Sequence, residues 1–384
     1  MLYREFGKTG KKVSALGFGC MRFPIHGHNP TDINEEEATK MLDYAFDNGV
    51  NYFDTAWTYH RDNDRTYTEQ GKSEFFMGKY IKDKRDKLYL ATKNPIFFVE
   101  KADEPERYLD AQLEALGTDY IDFYLLHSLY ADLWGTVKTL GVLKMLEKAK
   151  SDGRIRHIGF SFHDEYDIFT KIVDEFDWEF CLVQHNYLDI DFQAGTNGIK
   201  YAADKGMGVA VMEPLKGGRL ARPYPEELLA EAEKLGVEPP ALALRFVLDK
   251  PEVGVALSGM STIEQVKDNV KVASGIKPGA LTQEERGFTQ KVRSIYKNKE
   301  IAGCTACGYC MPCPAGVDIP GCIDSLNDFS ITGNLWRVKS EYDMRDNNTH
   351  AEHCINCGVC LDKCPQHLDI PSLMEQAHAK FGIK

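Results

Sequence analysis

The chain has 384 residues, which is enough for one large domain with a smaller one, or for two to three average domains. Its formal net charge of −12 argues against a nucleic-acid partner, because binding a phosphate backbone needs a basic surface. The sequence has no run of eighteen apolar residues, and its first residues are too polar for a signal peptide, so we expect neither membrane insertion nor secretion.

Short apolar runs alternate with amphipathic stretches through the first 290 residues, and the runs predict strands while the stretches predict helices. Eight such strand–helix units are typical of an α/β protein with a closed (β/α)8 barrel, the TIM-barrel fold. The predicted strands are Leu16–Cys20, Tyr52–Thr55, Leu88–Thr92, Ile121–Leu126, His157–Phe160, Cys181–His185, Gly208–Met212 and Val253–Leu257.

An open, doubly wound sheet is the main alternative to the barrel. That fold usually carries a Gly-x-Gly-x-x-Gly turn after its first strand, and here the turn runs from Gly17 through Gly19 to Arg22 without the third glycine. Ahead of the first barrel strand, residues 3–6 and 12–15 flank a glycine-bounded turn and predict a β-hairpin that closes the bottom of the barrel.

The domain boundaries follow from a change in composition. Residues 1–280 predict the barrel, residues 281–300 a linker helix, and residues 301–384 a small, mostly α-helical C-terminal domain. Within that domain, residues 319–326 and 335–342 have helical periodicity.

Four polar residues follow the predicted strands at the end where barrel enzymes carry their chemistry. They are Asp54, Tyr59, Lys93 and His127. Tyr59 could act as a proton donor, and a nearby Lys93, held by Asp54, would lower the pKa of the phenol from its ordinary value of about 10. His127 could donate a hydrogen bond to a carbonyl oxygen and orient it.

Cysteines dominate the C-terminal domain, where eight of them form two runs that each end in Cys-Pro. Three cysteines at intervals of three residues suit a [4Fe-4S] cluster, and in two-cluster ferredoxins the fourth cysteine of each run ligates the other cluster. By that rule one cluster takes Cys304, Cys307, Cys310 and Cys364, and the other takes Cys354, Cys357, Cys360 and Cys313.

Two other interpretations of the cysteines are weaker. Zinc sites would need only paired Cys-x2-Cys units, and a disulfide framework would leave Cys322 over. One feature departs from the usual pattern, because the first run has two residues, not three, before Cys313. Clusters and free thiols need a reducing compartment, so we expect a cytoplasmic protein.

These motifs together resemble the aldo-keto reductase superfamily over residues 1–290, and the whole chain resembles the subgroup with a C-terminal dicluster ferredoxin-like domain. The resemblance rests on the four strand-end residues and on several short stretches. These stretches are Gly49-Val-Asn-Tyr-Phe-Asp54-Thr-Ala, Gly71-Lys72-Ser73-Glu74, Ala-Thr-Lys93, Tyr-Leu-Leu-His127, Gly153-Arg-Ile-Arg-His-Ile-Gly-Phe-Ser161, Val-Gln184, and Gly259-Met-Ser261 with Glu264, Gln265 and Asn269.

The resemblance implies an NAD(P)H-dependent oxidoreductase that interconverts a small-molecule carbonyl and an alcohol by hydride transfer. Tyr59 would then supply the proton, Lys93 and Asp54 would tune it, and His127 would align the substrate. NADP(H) is favoured over NAD(H). The resemblance also implies cofactor contacts: Ser161 and Gln184 at the carboxamide, Leu215, Gly217 and Gly218 at the pyrophosphate, and Ser261, Gln265 and Asn269 at the adenosine end.

Three positions depart from the family pattern. Phe162 and His163 follow Ser161 where the family commonly has asparagine, no obvious aromatic residue follows the seventh strand, and Gln265 stands where an arginine often grips a 2′-phosphate. NADH therefore stays open as the cofactor. The loop between Trp57 and Gly71, with its charged residues, and His26 and His28 of the first loop would suit a polar or anionic substrate, or would simply be solvated.

The two halves imply different electron counts, because a hydride carries two electrons and a cluster passes one. A flavin usually bridges the two modes, and the chain has no flavin fingerprint, although a site without one stays open. Three interpretations follow: a reductase whose clusters exchange electrons with a redox partner protein, an electron-transfer protein whose barrel is a docking platform, or a reductase with structural or redox-sensing clusters.

Overall fold

The structure is a computed structural model that describes residues 1–27, 29–61 and 69–382. It begins with an antiparallel hairpin of β1 (Tyr3–Glu5) and β2 (Lys12–Ser14), and a closed barrel of eight parallel strands follows among the described residues. The barrel strands are β3 (Leu16–Gly19), β4 (Tyr52–Asp54), β5 (Tyr89–Asn94), β6 (Ile121–Leu129), β7 (Ile155–Phe162), β8 (Phe180–Gln184), β9 (Gly208–Met212) and β10 (Val253–Gly259).

Helices connect consecutive barrel strands and continue into the C-terminal part of the chain. They are α1 (Glu35–Asp47), α2 (Lys72–Ile81), α3 (Glu104–Leu116), α4 (Ala131–Thr139), α5 (Val142–Ser151), α6 (Tyr166–Glu175), α7 (Gly195–Asp204), α8 (Glu226–Leu235), α9 (Pro239–Leu248), α10 (Ile263–Gly275), α11 (Gln283–Lys299), α12 (Ile319–Thr332), α13 (Leu335–Asp343) and α14 (Ile370–Phe381). The predicted (β/α)8 barrel and the helical C-terminal region are both confirmed.

Phe6 closes the bottom of the barrel from the hairpin. Its ring lies 5.2 Å from that of Phe123, 5.7 Å from Phe180 and 5.9 Å from Tyr52, all measured between centroids. Tyr52 and Phe180 are the first residues of β4 and β8, so this aromatic cluster fills the N-terminal end of the barrel. The opposite end, where the strands finish, is left for polar side chains.

The end of β6 departs from the predicted strand. The sequence predicts a stop at Leu126, because His127 and Ser128 interrupt the apolar run, yet the strand continues to Leu129. Its pairing with β7 shifts register between Leu126 and Leu129, and Ser128 has a left-handed backbone with φ of 58°. Such irregularities re-aim side chains near active sites, and this one lies at His127.

The described residues divide into two compact units, and the division differs from the predicted domain boundaries. The first unit contains the barrel up to Pro214 and the segment Pro240–Leu281; the second contains Leu215–Pro239 and the residues from Thr282 onward. The barrel prediction placed residues 215–239 in the first domain. They instead join the second unit because α8 pairs with α11, through Lys291 with Glu231 and through Lys299 with Glu227 at 3.1 Å.

Helix α11 is therefore an integral part of the second unit, although the sequence predicts a linker there. Thr282 caps it in a reciprocal capping box with Glu285, a device that fixes where a helix begins. Phe288 packs its ring edge-on against Tyr224 at 5.1 Å. Both residues belong to the second unit, so α11 contributes to the packing of that unit.

The second unit contains a short internal repeat. In each copy a Cys-Pro pair is followed by an Asp-Ile-Pro sequence that starts a helix: Asp318 caps α12 and Asp369 caps α14. Proline lies in the first turn of both helices, where its missing N–H costs nothing. The repeat places each Cys-Pro pair just before a helix that begins beside the cysteine loops.

Candidate active site and cluster sites

Three of the four predicted strand-end residues form one hydrogen-bonded chain at the top of the barrel. The Lys93 Nζ donates to Asp54 Oδ1 at 2.6 Å and to the Thr55 carbonyl at 2.7 Å. It also lies 3.2 Å from the Tyr59 hydroxyl. Asp54 and Lys93 are almost fully buried, so their ion pair is shielded from water and salt.

His127 completes the group. Its ring lies 6.3 Å from that of Tyr59 in an edge-on arrangement and 5.4 Å from the ring of Phe97. Burial, with a smaller contribution from the Lys93 charge, lowers the pKa of His127 well below its ordinary value. The imidazole is therefore neutral near pH 7, and in that state one ring nitrogen carries a hydrogen for donation to an oxygen.

The Tyr59 hydroxyl does not have the lowered pKa that the sequence predicts. Burial, reinforced by the negative charge of Asp54, raises the pKa of Tyr59 well above 10. Removing a phenol from water disfavours its anion, and this burial is the largest cause of the upward shift of the pKa. Tyr59 is consequently held in its protonated form, which is the form that can give up a proton.

Two further residues, to which the sequence analysis gave no role, support the hydrogen-bonded group of Asp54, Lys93 and Tyr59. Ser73 bonds to Thr55 at 2.8 Å and donates to the Cys20 carbonyl, and so supports the backbone carbonyl that accepts from Lys93. Buried Glu74 accepts from Thr92 at 2.5 Å. Both residues lie in the Gly71-Lys72-Ser73-Glu74 stretch that resembles the family. Their supporting role depends on contacts that the sequence of this stretch does not reveal.

Gly71 is required by a close approach of the backbone. The Tyr59 carbonyl oxygen lies only 2.0 Å from the point that a Cβ atom at residue 71 would occupy. The Gly71 N–H donates to the Trp57 carbonyl at 2.8 Å. The start of α2 is therefore hydrogen-bonded to the loop that carries Tyr59. Any larger residue at 71 would displace the backbone of Tyr59.

His60 has a structural role in the polar loop. Its Nε2 accepts from the Phe23 N–H at 3.1 Å, and its Nδ1 lies 2.8 Å from the Pro30 carbonyl. Both ring nitrogens are thus engaged with the backbone of the first loop. The prediction that this loop and the first loop suit a polar substrate, or are solvated, also involves residues outside the described ones, namely His28, Asp62, Asp64, Arg65 and Tyr67.

The predicted carboxamide contacts present one donor and one acceptor. The Ser161 hydroxyl accepts from the Ser128 N–H at 2.7 Å, which leaves its own hydrogen for a second bond. The Gln184 amide nitrogen donates to Asp189 at 2.9 Å, while its buried Oε1 has no hydrogen-bond partner among the described residues. A carboxamide, with one C=O and one NH2, matches this pair. Phe162 packs in the core beside Phe169 and offers no such contact.

At the predicted adenosine end, the side chains of Ser261, Gln265 and Asn269 all bond to other groups of the protein. The Ser261 N–H donates to Gln265 Oε1 at 2.8 Å, and Asn269 donates to the Ser258 hydroxyl at 3.0 Å. Gln265 lies in the first turn of α10, whose cap is Thr262. Leu215, Gly217 and Gly218, predicted at the pyrophosphate, belong to the second unit.

The glycine-rich loop at residues 215–218 packs against the first cysteine run. The Thr305 carbonyl lies 2.5 Å from where a Gly217 side chain would begin, so only glycine fits there. Arg219 pairs with Glu300, and Arg222 pairs with Asp324, which anchors the segment on both sides. The predicted pyrophosphate loop is thus built into the same unit as the cysteines.

The eight cysteines line two separate cavities, each with four sulfurs. One cavity is lined by Cys304, Cys307, Cys310 and Cys364, and the other by Cys313, Cys354, Cys357 and Cys360. The structure therefore groups the cysteines in the two crossed sets that the sequence predicts. The rest of each lining is largely apolar, and Ile370 lies in both walls.

Both cysteine runs wind in the same way. Ala306 and Gly308 in the first run have left-handed backbones, and so do Asn356 and Gly358 at the equivalent places in the second. Asparagine and glycine favour that conformation, whereas alanine rarely adopts it. Cys322, outside both runs, is buried with its sulfur 3.8 Å from the Tyr342 hydroxyl.

Buried neutral histidines make the stability of the barrel depend on pH. Burial lowers the pKa of His163 to about 4 and, with the Lys250 charge, that of His185 to about 3. Between those values and the unfolded value of about 6.5, the unfolded chain binds protons that the folded chain does not, so stability falls as pH falls. When the pH is lowered from 7 to 5, we expect each histidine to reduce the free energy of unfolding by about 2 kcal/mol.

Urea unfolding at both pH values, followed by tryptophan fluorescence, measures this loss. His185→Phe keeps the ring contact with Phe246 and should remove about 2 kcal/mol of the pH dependence. His26→Gln, at an exposed position, is the matched control and should leave it unchanged. A His185→Phe protein with the full wild-type dependence would contradict the assignment.

Comparisons with known proteins agree with this architecture. A model described as the aldo/keto reductase family matches residues 15–276, and one described as a 4Fe-4S dicluster domain matches residues 303–368. The second match favours iron–sulfur clusters over zinc or disulfides. Among the described residues, no helix is long and apolar enough to cross a membrane.

Individual relatives cover most of the chain. L-galactose dehydrogenase of Arabidopsis thaliana is 28% identical in an alignment 318 positions long that covers 77% of this chain and 95% of that protein. The 6-dehydroglucose reductase of Novosphingobium aromaticivorans is 25% identical in an alignment 286 positions long that covers 70% of this chain and 89% of that protein. The holo form of aldo-keto reductase AKR11C1 from Bacillus halodurans has a TM-score of 0.61 at 28% identity, covering 76% of this chain and 96% of that one.

Proposed function

Because the chain belongs to the aldo/keto reductase family, we propose that its barrel reduces a small carbonyl compound, or oxidises the corresponding alcohol, with Tyr59 as the proton donor. The observation that carries the proposal is the chain of contacts from Asp54 through Lys93 to the Tyr59 hydroxyl. When bound, the nicotinamide supplies the hydride. The carbonyl oxygen then needs one proton, and the protonated Tyr59 is the group that gives it.

His127 and Lys93 have separate roles in this proposal. The neutral His127 donates a hydrogen bond to the carbonyl oxygen and holds it near Tyr59. The Lys93 ammonium, fixed by Asp54 and the Thr55 carbonyl, stabilises the negative charge left on Tyr59 after the proton is given. Ser161 and Gln184 would hold the carboxamide of the cofactor through their donor and acceptor.

NADP(H) is proposed as the preferred cofactor over NAD(H), with Ser261, Gln265 and Asn269 at its adenosine end and Leu215, Gly217 and Gly218 at its pyrophosphate.

The cluster cavities extend the proposal. Each set of four cysteines would hold one [4Fe-4S] cluster, and the clusters would exchange single electrons with a redox partner protein in the cytoplasm, where thiols stay reduced.

The raised pKa of Tyr59 and the lowered pKa of His127 predict a flat pH profile for reduction. Neither group changes its protonation between pH 7 and 9, so kcat/KM for a test aldehyde should stay constant within about twofold over that range. Stopped-flow or steady-state kinetics in a constant-ionic-strength buffer measures it. A steady fall in kcat/KM above pH 7 would instead reveal a phenol with a lowered pKa.

The proposal is tested with anaerobically purified protein of known iron and sulfide content. NADPH, then NADH, is added with a panel of carbonyl compounds that includes oxidised sugars, because two relatives are named for sugar chemistry. Nicotinamide oxidation and the visible absorption of the clusters are followed together. Aldehyde reduction with either nucleotide supports the barrel chemistry, and failure with the whole panel, together with no nucleotide binding, would leave the docking-platform interpretation.

The cluster absorption separates the remaining interpretations. Bleaching by NADPH alone would mean that nicotinamide and clusters communicate, and a bridging flavin or partner should then be sought. Clusters that stay oxidised during aldehyde reduction would mean that the barrel works alone. In that case the proposed electron exchange fails, while the reductase assignment stands.

A further inference from the structure

We propose that Asp189 is a positioning residue that fixes the direction of the Gln184 side-chain amide, and through it the recognition of the cofactor carboxamide. The inference rests on the proposed nicotinamide site and adds a residue to it. Gln184 is the last residue of β8, and Asp189 follows it in the next loop. Both side chains are more than nine-tenths buried.

The direction of a glutamine amide is decided by its neighbours. An ionised carboxylate offers acceptors and no donor, so Gln184 must turn its nitrogen toward Asp189, where Nε2 lies 2.9 Å from Oδ2. The amide oxygen consequently faces away. That oxygen is buried and has no hydrogen-bond partner among the described residues, a costly state unless a donor is to be bound.

Asp189 is itself held in place by a small loop. Its backbone N–H donates to Asn186 Oδ1 at 3.0 Å, and the Asn186 Nδ2 returns a bond to Asp189 Oδ2 at 3.1 Å. The Asn186 Oδ1 also accepts from the Leu188 N–H at 2.9 Å. The carboxylate therefore cannot turn away from Gln184 without breaking this loop, which makes the amide direction a property of the fold.

The consequence is a site that recognises one half of the carboxamide by hydrogen-bond polarity. The fixed Gln184 oxygen can accept only from an N–H, so it selects the NH2 group of the nicotinamide. Without Asp189 the amide could turn by half a rotation and present its NH2 group instead, which cannot pair with another NH2. The hydrogen bond between the Gln184 oxygen and the carboxamide NH2 group would then form in only part of the protein molecules.

The test compares two nucleotides that differ in this one group. NADP+ carries the carboxamide, whereas its 3-acetylpyridine analogue carries a methyl ketone with no N–H. Dissociation constants are measured by calorimetry with the full-length protein, so the readout does not depend on turnover. For Asp189→Ala we expect about tenfold weaker binding of NADP+, the size of one lost hydrogen bond, and less than a twofold change for the analogue.

Two further variants separate positioning from general damage. Asp189→Asn keeps an acceptor for the Gln184 nitrogen and should bind NADP+ within about twofold of the wild type. In a Gln184→Ala background, adding Asp189→Ala should change the ratio of the two constants no further, because the group it acts through is gone. Circular dichroism checks that each variant is folded.

Each alternative outcome overturns a different statement. Equal weakening of both nucleotides by Asp189→Ala, or no rescue by Asp189→Asn, would show that Asp189 does not act through the amide direction, while the cofactor site stands. A wild-type protein that binds neither NADP+ nor NAD+ would overturn the proposed function, and this inference with it.

Discussion

The Tyr59→Phe variant is expected to reduce carbonyl compounds with a kcat lower by about 10²- to 10⁴-fold, the range that a positioned proton donor contributes. The hydroxyl is the one group on this side chain that can protonate the substrate oxygen, and it lies 3.2 Å from Lys93. The ring itself is kept, so packing against His127 should persist. Single-turnover measurement of NADPH oxidation with the best aldehyde gives the rate.

Nucleotide binding and a second tyrosine provide the controls. Tyr59→Phe should bind NADP+ with unchanged affinity, because the lost hydroxyl is proposed to contact the substrate and not the cofactor. Tyr3→Phe removes a phenol hydroxyl that bonds the Gly49 carbonyl at 2.9 Å, at the opposite end of the barrel, and should leave kcat unchanged. A Tyr59→Phe protein with at least a third of the wild-type kcat would mean that another group delivers the proton.

Paired cysteine variants should distinguish crossed from run-by-run cluster ligation by iron content alone. The wild-type protein is expected to hold about eight irons, as two [4Fe-4S] clusters. Cys304→Ser with Cys364→Ser damages one set under the crossed grouping, so about four irons should remain. If each run held its own cluster, the same pair would damage both, and almost none would remain.

The reciprocal pair gives the opposite pattern. Cys304→Ser with Cys313→Ser lies within one run but damages both crossed sets, and we expect almost no iron to be retained. Cys322→Ser is the matched control, because this cysteine is buried beside Tyr342 and lines neither cavity. Anaerobic iron and sulfide analysis, with spectra of the dithionite-reduced protein, measures all three. Equal iron in the two double variants would refute both groupings.

The barrel could be predicted from the sequence because its strands are buried on both faces and read as apolar runs. The predicted strand Gly208–Met212 matches the observed β9 without change. The predicted end of β6 was wrong because the polar residues His127 and Ser128 interrupt the apolar run before the strand ends at Leu129. The cysteine groups were predictable because spacing along the chain limits how a loop can wrap around a cluster.

Other features depend on contacts that a sequence does not display. The upward direction of the Tyr59 pKa follows from the removal of the phenol from water, and the sequence shows only which charges accompany it. Residues 215–239 belong to the second unit and not to the barrel, and this depends on the pairing of α8 with α11. Asp189 was missed because an acidic residue in a loop is usually solvated, and only its bond to Gln184 separates it from the others.

The side chain of Ile370, shared by the walls of both cysteine cavities, bears on the mismatch between one-electron and two-electron chemistry. With a cluster held in each cavity, Ile370 would form part of the wall of both cluster sites, and each cluster would carry one electron. The two centres would then behave as one store with a capacity of two electrons. That capacity equals the electron content of one hydride, so filling the store from nicotinamide would need a group that divides a hydride into two single electrons.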